Sequence, residues 1–205
     1  MDNGGTFLRV ADITATLDTV LTTMRDVGAD ITYRLGGTSA ALLQGVQLPV
    51  GDIDLLAARR EDVDKFAAAL ASFPCFHAAS WFPDSSQYFA RYEVHGVKVE
   101  MSTVERQVDS DGMECVGRGP WQHYVWIACR SHQVPVVRLE LRLATELVRD
   151  RPDRYEPLLD HMSAQGCDFD LLRRAMRDQG LPAERQCLVW DRLAHSAPHR
   201  NSDVR

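Results

Sequence analysis

The hydrophobic pattern of the chain changes once, near Leu139, and this change constrains the fold more than any other feature. Before it, short apolar runs typical of strands alternate with segments in which apolar residues recur every three or four positions, as in helices. After it, the helical spacing continues alone. The pattern predicts an α/β (α+β) fold, with a short mixed sheet flanked by helices and followed by a helical C-terminal part.

The predicted helices cover 8–27, 38–44, 61–72, 140–149, 153–165, 169–179 and 183–194, and the predicted strands cover 31–35, 53–57, 88–94, 97–102, 124–129 and 134–137. Asp12 is predicted to cap the first helix. Nothing near Leu139 resembles a flexible linker, so we expect a domain at 1–139 with a helical part at 140–195 packed on it. The tail at 196–205 is expected to be disordered.

Composition excludes several classes of protein. The 205 residues contain 23 Lys and Arg against 29 Asp and Glu, a net charge of −6, which disfavours general DNA binding. No run of 18 apolar residues predicts a membrane span, and the first residues do not resemble a signal peptide, so a cytoplasmic location is expected. The five cysteines form no CxxC pair, which disfavours a structural zinc site or a disulfide framework.

The segment Leu35-Gly36-Gly37-Thr38-Ser39 joins a predicted strand to a predicted helix. Glycines allow a ligand to approach the backbone closely, and the first turn of a helix carries free N–H groups that favour anions. Thr38 and Ser39 add hydroxyl groups, so the four residues from Gly36 to Ser39 are candidates for phosphate binding. The alternative is an ordinary tight turn in which Thr38 or Ser39 caps the helix.

Two aspartates mark the start of the next predicted strand, Asp52-Ile53-Asp54-Leu55. Residues two apart in a strand point to the same face, so Asp52 and Asp54 project together. Neighbouring carboxylates repel each other, and a divalent cation relieves this repulsion, which makes the pair a candidate metal site. The alternative is a solvated acidic pair at the edge of a strand.

A third acid, Glu100, lies in the apolar segment Val97-Lys98-Val99-Glu100-Met101. The preceding His95-Gly96 predicts a tight hairpin turn, and a two-residue turn places Arg91 opposite Glu100. A carboxylate on the face of a sheet needs a partner. One alternative is therefore a plain cross-strand ion pair between Arg91 and Glu100 on a wet face.

In this order, with Gly36-Gly37, then a helix, then Asp52-Ile53-Asp54 and then Glu100 in a hairpin, the sequence resembles the nucleotidyltransferase fold of the DNA polymerase β superfamily. Segments 35–45 and 51–55 look most like its small bacterial branch, which holds lincosamide and aminoglycoside nucleotidyltransferases and AbiEii-type toxins. The resemblance covers residues 30–102 and extends weakly into the C-terminal helices.

The resemblance implies an enzyme that moves a nucleoside monophosphate from an NTP, such as ATP, to a hydroxyl acceptor and releases pyrophosphate. It implies that Asp52, Asp54 and Glu100 are the catalytic residues and the ligands of Mg²⁺ or Mn²⁺, with Glu100 also suited to accept the proton of the acceptor. Segment 36–39 would hold the triphosphate, and Arg91 would neutralise part of its charge. One metal ion would activate the acceptor oxygen and another would hold the leaving pyrophosphate.

The sequence departs from this branch at one position. Relatives often carry a lysine in the helix that corresponds to 141–147, where Glu146 stands near the lysine position. Arg142, Arg151 and Arg154 are candidate replacements, although arginine and lysine are not equivalent ligands. The missing lysine keeps open a catalytically silent domain of this fold that binds a nucleotide or a partner protein. An active enzyme would take a small molecule such as an antibiotic as acceptor or, as a toxin component, RNA or a protein.

Overall fold

The computed structural model describes residues 7–106 and 108–195. Its helices, in chain order, are α1 (Val10–Asp26), α2 (Gly37–Leu43), α3 (Arg60–Ala69), α4 (Gly119–Gln122), α5 (Leu139–Val148), α6 (Pro152–Gln165), α7 (Phe169–Asp178) and α8 (Ala183–His195). Its strands are β1 (Tyr33–Gly36), β2 (Asp52–Ala57), β3 (Cys75–Phe82), β4 (Gln87–Val94), β5 (Val97–Ser102), β6 (Tyr124–Cys129) and β7 (His132–Val137). Strands and helices alternate as far as α5, and from there the described chain is helical, as the hydrophobic pattern predicts.

The strands of the described residues form one mixed sheet in the order β3-β4-β5-β2-β1-β7-β6. The pairs β2–β5 and β1–β7 run parallel, whereas the other neighbouring strands run antiparallel. The predicted α/β (α+β) class, with a mixed sheet flanked by helices, is confirmed. β2, the strand that carries both aspartates, lies at the centre of the sheet.

The alternation of side chains along β2 separates two hydrophobic clusters. Ile53 belongs to a cluster that includes residues of α1 and α3, whereas Leu56 belongs to a second cluster formed mainly by α5 to α8. Val137 of β7 is also buried in this second cluster, so the C-terminal helices pack on the sheet. Asp52 and Asp54 share the face of Leu56 because residues two apart in a strand point the same way. The two aspartates therefore lie on the face of the sheet that carries the C-terminal helices.

The hairpin β4–β5 brings the third acid to this face. His95 and Gly96 both have positive φ, 54° and 76°, as a tight two-residue turn requires. In the resulting register Arg91 lies directly opposite Glu100. The predicted hairpin and its register are confirmed.

Local features differ from the prediction at several places, among them the short helix α4, which is not predicted. No strand is predicted at Cys75–Phe82, where β3 lies, because this edge strand is largely exposed and lacks a clean apolar alternation. Asp12 is not the cap of α1, since the helix begins at Val10 and Arg9 precedes it. Asp12 instead accepts a hydrogen bond of 2.9 Å from the backbone N–H of Arg9.

The tail predicted at 196–205 lies outside the described residues. Within 7–106 and 108–195, no helix is both long enough and apolar enough to cross a membrane.

Candidate active site

Three carboxylates meet beside the centre of the sheet. Asp52 and Asp54 come from β2, and Glu100 comes from β5, where it pairs directly with Asp54. One carboxylate oxygen from each residue can be chosen so that all three lie within 4.8 Å of one another. We call Asp52, Asp54 and Glu100 the acidic triad. The structure thus brings together the three residues that the sequence offers as metal ligands.

The acidic triad is poorly stabilised as a set of anions in the protein alone. Burial, together with the charge of Glu100, raises the pKa of Asp52 above its ordinary value. Burial also raises the pKa of Asp54 well above its ordinary value, and the charges of Asp52 and Glu100 add to this effect. A cation bound between the carboxylates would offset their repulsion and favour their charged forms.

Arg91 of β4 forms an ion pair with Glu100. Its Nε and Nη2 atoms donate hydrogen bonds of 2.8 Å and 2.5 Å to Oε2 of Glu100. The Arg91 side chain is still 37% exposed, so part of its guanidinium faces solvent beside the acidic triad. Glu100 therefore forms the cross-strand ion pair with Arg91 and is also a member of the acidic triad.

The Gly36-Gly37 turn touches the triad from the side of β1. Gly36 pairs with Asp54 across the β1–β2 ladder. Gly37, the first residue of α2, has a φ of +66°, and a Cβ atom placed on it would overlap Oδ2 of Asp54. Position 37 therefore requires glycine both for its backbone conformation and for the space that the Asp54 carboxylate occupies.

Thr38 and Ser39 follow this turn and are both buried, with exposures of 5% and 0%. The hydroxyl of Ser39 donates a hydrogen bond of 3.2 Å to the carbonyl oxygen of Gly36. The residue in the N-cap position of α2 is Gly36, so neither Thr38 nor Ser39 caps the helix, contrary to the alternative considered from the sequence. The Ser39 hydroxyl instead ties the start of α2 to the end of β1.

A second group of charged side chains, here called the arginine–glutamate cluster, consists of Glu114, Arg142, Glu146, Arg149 and Arg154. Its core is almost fully buried, since Glu114, Arg142 and Glu146 are 1%, 6% and 0% exposed. Arg142 donates hydrogen bonds of 3.2 Å and 3.0 Å to the two carboxylate oxygens of Glu114, and it also bonds Glu146. Arg149 and Arg154 approach Glu146 to 3.4 Å and 3.6 Å.

Glu146, which stands near the position where relatives often carry a lysine, belongs to this cluster. Glu146 is fully buried and is paired within the cluster. Among the candidate replacements, Arg142 is held by two glutamates, and Arg151 pairs with a neighbouring aspartate at 2.8 Å. Arg154 is 28% exposed, and its positive charge opposes the rise in the pKa of Asp52. Arg142 likewise opposes the rise in the pKa of Asp54, so the charges of both Arg142 and Arg154 act on the acidic triad.

Glu114 is the residue near the site that the sequence does not single out. Its Oε1 atom lies 3.9 Å from the position of a Cβ on Gly36, so the arginine–glutamate cluster reaches the back of the Gly36-Gly37 turn. Glu114 belongs to the irregular segment between β5 and α4. No periodic pattern marks it there, and its pairing with Arg142 becomes visible only in the folded chain.

The donor set of the acidic triad fits a hard divalent cation. Carboxylate oxygens are the protein ligands that Mg²⁺ and Mn²⁺ prefer. Among the described residues, Asp52, Asp54 and Glu100 form the one group of three His, Cys, Asp or Glu side chains close enough to share an ion. Burial and neighbouring carboxylates raise the pKa values of Asp52 and Asp54, and a bound cation would favour the charged forms of both side chains.

A search of solved structures finds proteins that resemble this chain, and the first of them shares its fold. TM1012 of Thermotoga maritima, described as a putative nucleotidyltransferase, matches with a TM-score of 0.54 and 17% identity, over 78% of this chain and 98% of that one. The antibiotic-resistance factor ANT(2'')-Ia matches with a TM-score of 0.43 and 13% identity, over 89% and 90%. JHP933 of Helicobacter pylori matches with a TM-score of 0.43 and 14% identity, over 90% and 92%. Comparisons with protein-family models and with curated protein sequences find no match.

Proposed function

Since this chain has the nucleotidyltransferase fold, we propose that it transfers a nucleoside monophosphate from an NTP to a hydroxyl acceptor with the help of Mg²⁺ or Mn²⁺. The acceptor oxygen forms a bond to the α-phosphorus, the bond from the α-phosphorus to the oxygen that bridges to the β-phosphate breaks, and pyrophosphate leaves. The hydroxyl proton passes to a carboxylate, for which Glu100 is the candidate. A cytoplasmic location, where ATP and Mg²⁺ are available, is part of the proposal.

The acidic triad is the observation that carries this proposal. Fold alone does not establish an activity, because one fold supports many functions. Three carboxylates that converge within 4.8 Å, with a raised pKa at Asp52 and Asp54, make a costly arrangement. A structural role does not explain this cost, whereas the binding of a divalent cation does.

Asp52, Asp54 and Glu100 would hold the metal ion. When bound there, Mg²⁺ or Mn²⁺ would polarise phosphate oxygens and make the acceptor hydroxyl more acidic. The protein itself fixes the carboxylates in place, because Ile53 and Val99 alternate with them and are buried in the core on the opposite face of the sheet. The triad therefore stands on two neighbouring strands that cannot rotate independently.

The triphosphate would lie against the Gly36-Gly37 turn. The absence of side chains at Gly36 and Gly37 allows a phosphate to approach the backbone beside Asp54. Thr38 and Ser39 are buried, so they would contribute through their backbone rather than as exposed hydroxyl groups. Arg91, which is partly exposed beside Glu100, would offset part of the phosphate charge. Positioning of the phosphates is the main contribution that such a site makes.

A catalytically silent nucleotide-binding domain is the second candidate. The ion pair between Arg91 and Glu100 favours it, because this contact gives Glu100 a partner without any metal. The two candidates differ in one measurable respect. An active enzyme must release pyrophosphate, whereas a silent domain binds a nucleotide and leaves it intact.

The proposal is tested by melting the protein with Mg²⁺ or Mn²⁺, with and without each NTP. We expect the metal and nucleotide together to raise Tm by about 5 °C at saturation. Asp54→Asn should abolish this rise, whereas Asp170→Asn, at an exposed position on α7, should retain it. Pyrophosphate release is then measured with each NTP and a panel of hydroxylated acceptors.

The outcomes separate the candidates. Metal-dependent stabilisation with acceptor-dependent pyrophosphate release supports the transferase. Stabilisation without pyrophosphate release from any NTP and acceptor supports the silent domain. If neither metal changes Tm in the presence or absence of a nucleotide, the metal site is wrong and the transferase is contradicted. A rise in Tm with a nucleotide alone would then support the silent domain.

A further inference from the structure

A cavity of about 590 Å³ opens beyond the C-terminal end of β5. Five parts of the chain form its walls: the start of β4, the segment after β5, the segment 113–116, one side of α5 and the end of α7. Each part contributes at least one lining residue, in this order Gln87, Val104, Cys115, Thr145 and Gln179. A volume of this size suits a small organic molecule.

The cavity lies on the same face of the sheet as the acidic triad. On β4, Arg91 pairs with Glu100, and Gln87 lines the cavity four residues earlier, so both side chains share a face. Val104 follows Glu100 by four residues, which in an extended chain is a distance of roughly 13 Å. A molecule of about this length would reach from the cavity to the triad.

The segment 113–116 also connects the two places. Cys115 lines the cavity, and its neighbour Glu114 lies behind Gly36. Gly36 in turn pairs with Asp54. One short segment thus borders both the cavity and the turn beside the triad, so the two places adjoin.

The charge of the cavity is positive. Arg106 and Arg149 line it, and none of its lining residues in the described chain is acidic. Arg149 approaches Glu146 to 3.4 Å but remains 53% exposed. Glu146 is also contacted by Arg142 and Arg154, and the arginine–glutamate cluster holds three arginines for two glutamates. Arg149 thus shares Glu146 with two other arginines, and the lining of the cavity is net positive.

We propose that this cavity binds one end of the acceptor, and that the acceptor is a small hydroxylated phosphomonoester. This inference rests on the proposed function. Arg106 and Arg149 bind the phosphate, and the other end of the molecule brings its hydroxyl to the acidic triad, where the transfer described above takes place. A polycationic acceptor such as an aminoglycoside is disfavoured, because its ammonium groups would face two arginines.

The test is calorimetric titration of the full chain, without metal or nucleotide, with ribose 5-phosphate, glucose 1-phosphate, the two parent sugars and tobramycin. Without metal the acidic triad disfavours phosphate, and variants of Arg106 and Arg149 show whether the binding takes place in the cavity. We expect at least one sugar phosphate to bind about tenfold or more tightly than its parent sugar, the effect of one charge-assisted contact. Arg106→Gln and Arg149→Gln should each reduce that preference by a similar factor, and Arg149→Lys should restore part of it.

Arg25→Gln is the matched control, because Arg25 is 64% exposed at the end of α1 and lies outside the cavity. It should leave the preference unchanged, and the melting temperature of each variant shows whether it is folded. The proposal is overturned if the parent sugars or tobramycin bind as tightly as the phosphates, or if the folded Arg106 variant binds like wild type. Transfer to a 5′-phosphorylated RNA but to no small phosphomonoester would also overturn it. Since the titration contains no nucleotide, failure of nucleotidyl transfer would leave the binding result readable on its own.

Discussion

Two groups of carboxylates lie near each other in this protein, and they differ in how their charge is met. The acidic triad holds three acids, and Arg91 is the arginine that contacts it through Glu100. The arginine–glutamate cluster holds two acids and three arginines. Both groups are removed from bulk water to a considerable degree. In the cluster each acid is paired with at least one arginine, whereas in the triad Arg91 is the only arginine among the described residues that forms an ion pair with an acid.

This difference separates a structural role from a functional one. A buried carboxylate without a cation is held at a cost in stability, and the raised pKa of Asp54 expresses this cost. The cluster around Arg142 offsets part of this cost by pairing each glutamate with an arginine. In the proposed function, a bound divalent cation supplies the positive charge that the acidic triad lacks. The comparison predicts opposite effects when a charge is removed from each group.

The largest effect is expected in the arginine–glutamate cluster. Arg142→Ala leaves Glu114 without its guanidinium partner and weakens the pairing of Glu146, both of which are almost fully buried. Removing one partner of a buried pair costs about 3–5 kcal/mol because the remaining charge is stranded. We expect a loss of this size in the free energy of unfolding, measured with denaturant.

The control for this variant is Arg173→Ala, which removes an arginine that pairs with Asp170 on the surface of α7. Exposed pairs of this kind contribute about 0–1 kcal/mol. A similar, small change in the free energy of unfolding for both variants would show that the ion pairs of the cluster do not stabilise the fold. The cluster would then have no structural role to contrast with the acidic triad.

The sequence predicts those parts of the site that depend on local periodicity. Asp52 and Asp54 share a face because any strand alternates, and His95-Gly96 sets the register that places Arg91 opposite Glu100. These relations extend over a few residues or a single hairpin. They do not depend on which strands become neighbours elsewhere in the sheet.

The arginine–glutamate cluster could not be predicted in this way. Glu114 and Arg142 are 28 residues apart in the chain, and Glu114 belongs to a segment without periodicity. Their contact depends on how α5 packs against the sheet. β3 escapes prediction because its residues are exposed or only partly buried and its sequence shows no clean apolar alternation.

Replacing Gly37 tests the contact between the Gly36-Gly37 turn and the acidic triad. Gly37→Ala places a methyl group where the Asp54 carboxylate lies and also forces alanine into a φ of +66°. Gly28 is a matched control, because its φ is +68° and a Cβ there would meet nothing within 4 Å. We expect Gly28→Ala to cost about 1 kcal/mol from backbone strain and Gly37→Ala to cost about 2–3 kcal/mol.

Nucleotide binding with Mg²⁺ separates these variants further. Gly37→Ala should weaken it well beyond the effect of Gly28→Ala, because the methyl group displaces Asp54 and occupies the space proposed for phosphate. Equal nucleotide affinity in folded wild type and folded Gly37→Ala would contradict the phosphate site at the Gly36-Gly37 turn. The turn would then be a purely structural connection between β1 and α2.

The smallest expected effect has the opposite sign from the first, and it depends on pH. Asp54→Asn removes a buried charge while keeping the shape of the side chain, so the metal-free protein should gain about 1 kcal/mol near neutral pH. Folding raises the pKa of Asp54 above the ordinary value of 3.8, so the folded protein binds this proton more tightly than the unfolded chain does. Stability of wild type from this group is therefore present at low pH and is lost as pH rises from the ordinary pKa through the raised one. The stability advantage of Asp54→Asn should be full above that interval and should shrink as pH falls toward 3.8.

Denaturant unfolding of both proteins across this pH range measures the difference directly. An advantage that stays constant, or grows on acidification, would mean that the Asp54 carboxylate is already compensated in the folded protein, and the contrast between the two groups of acids would disappear.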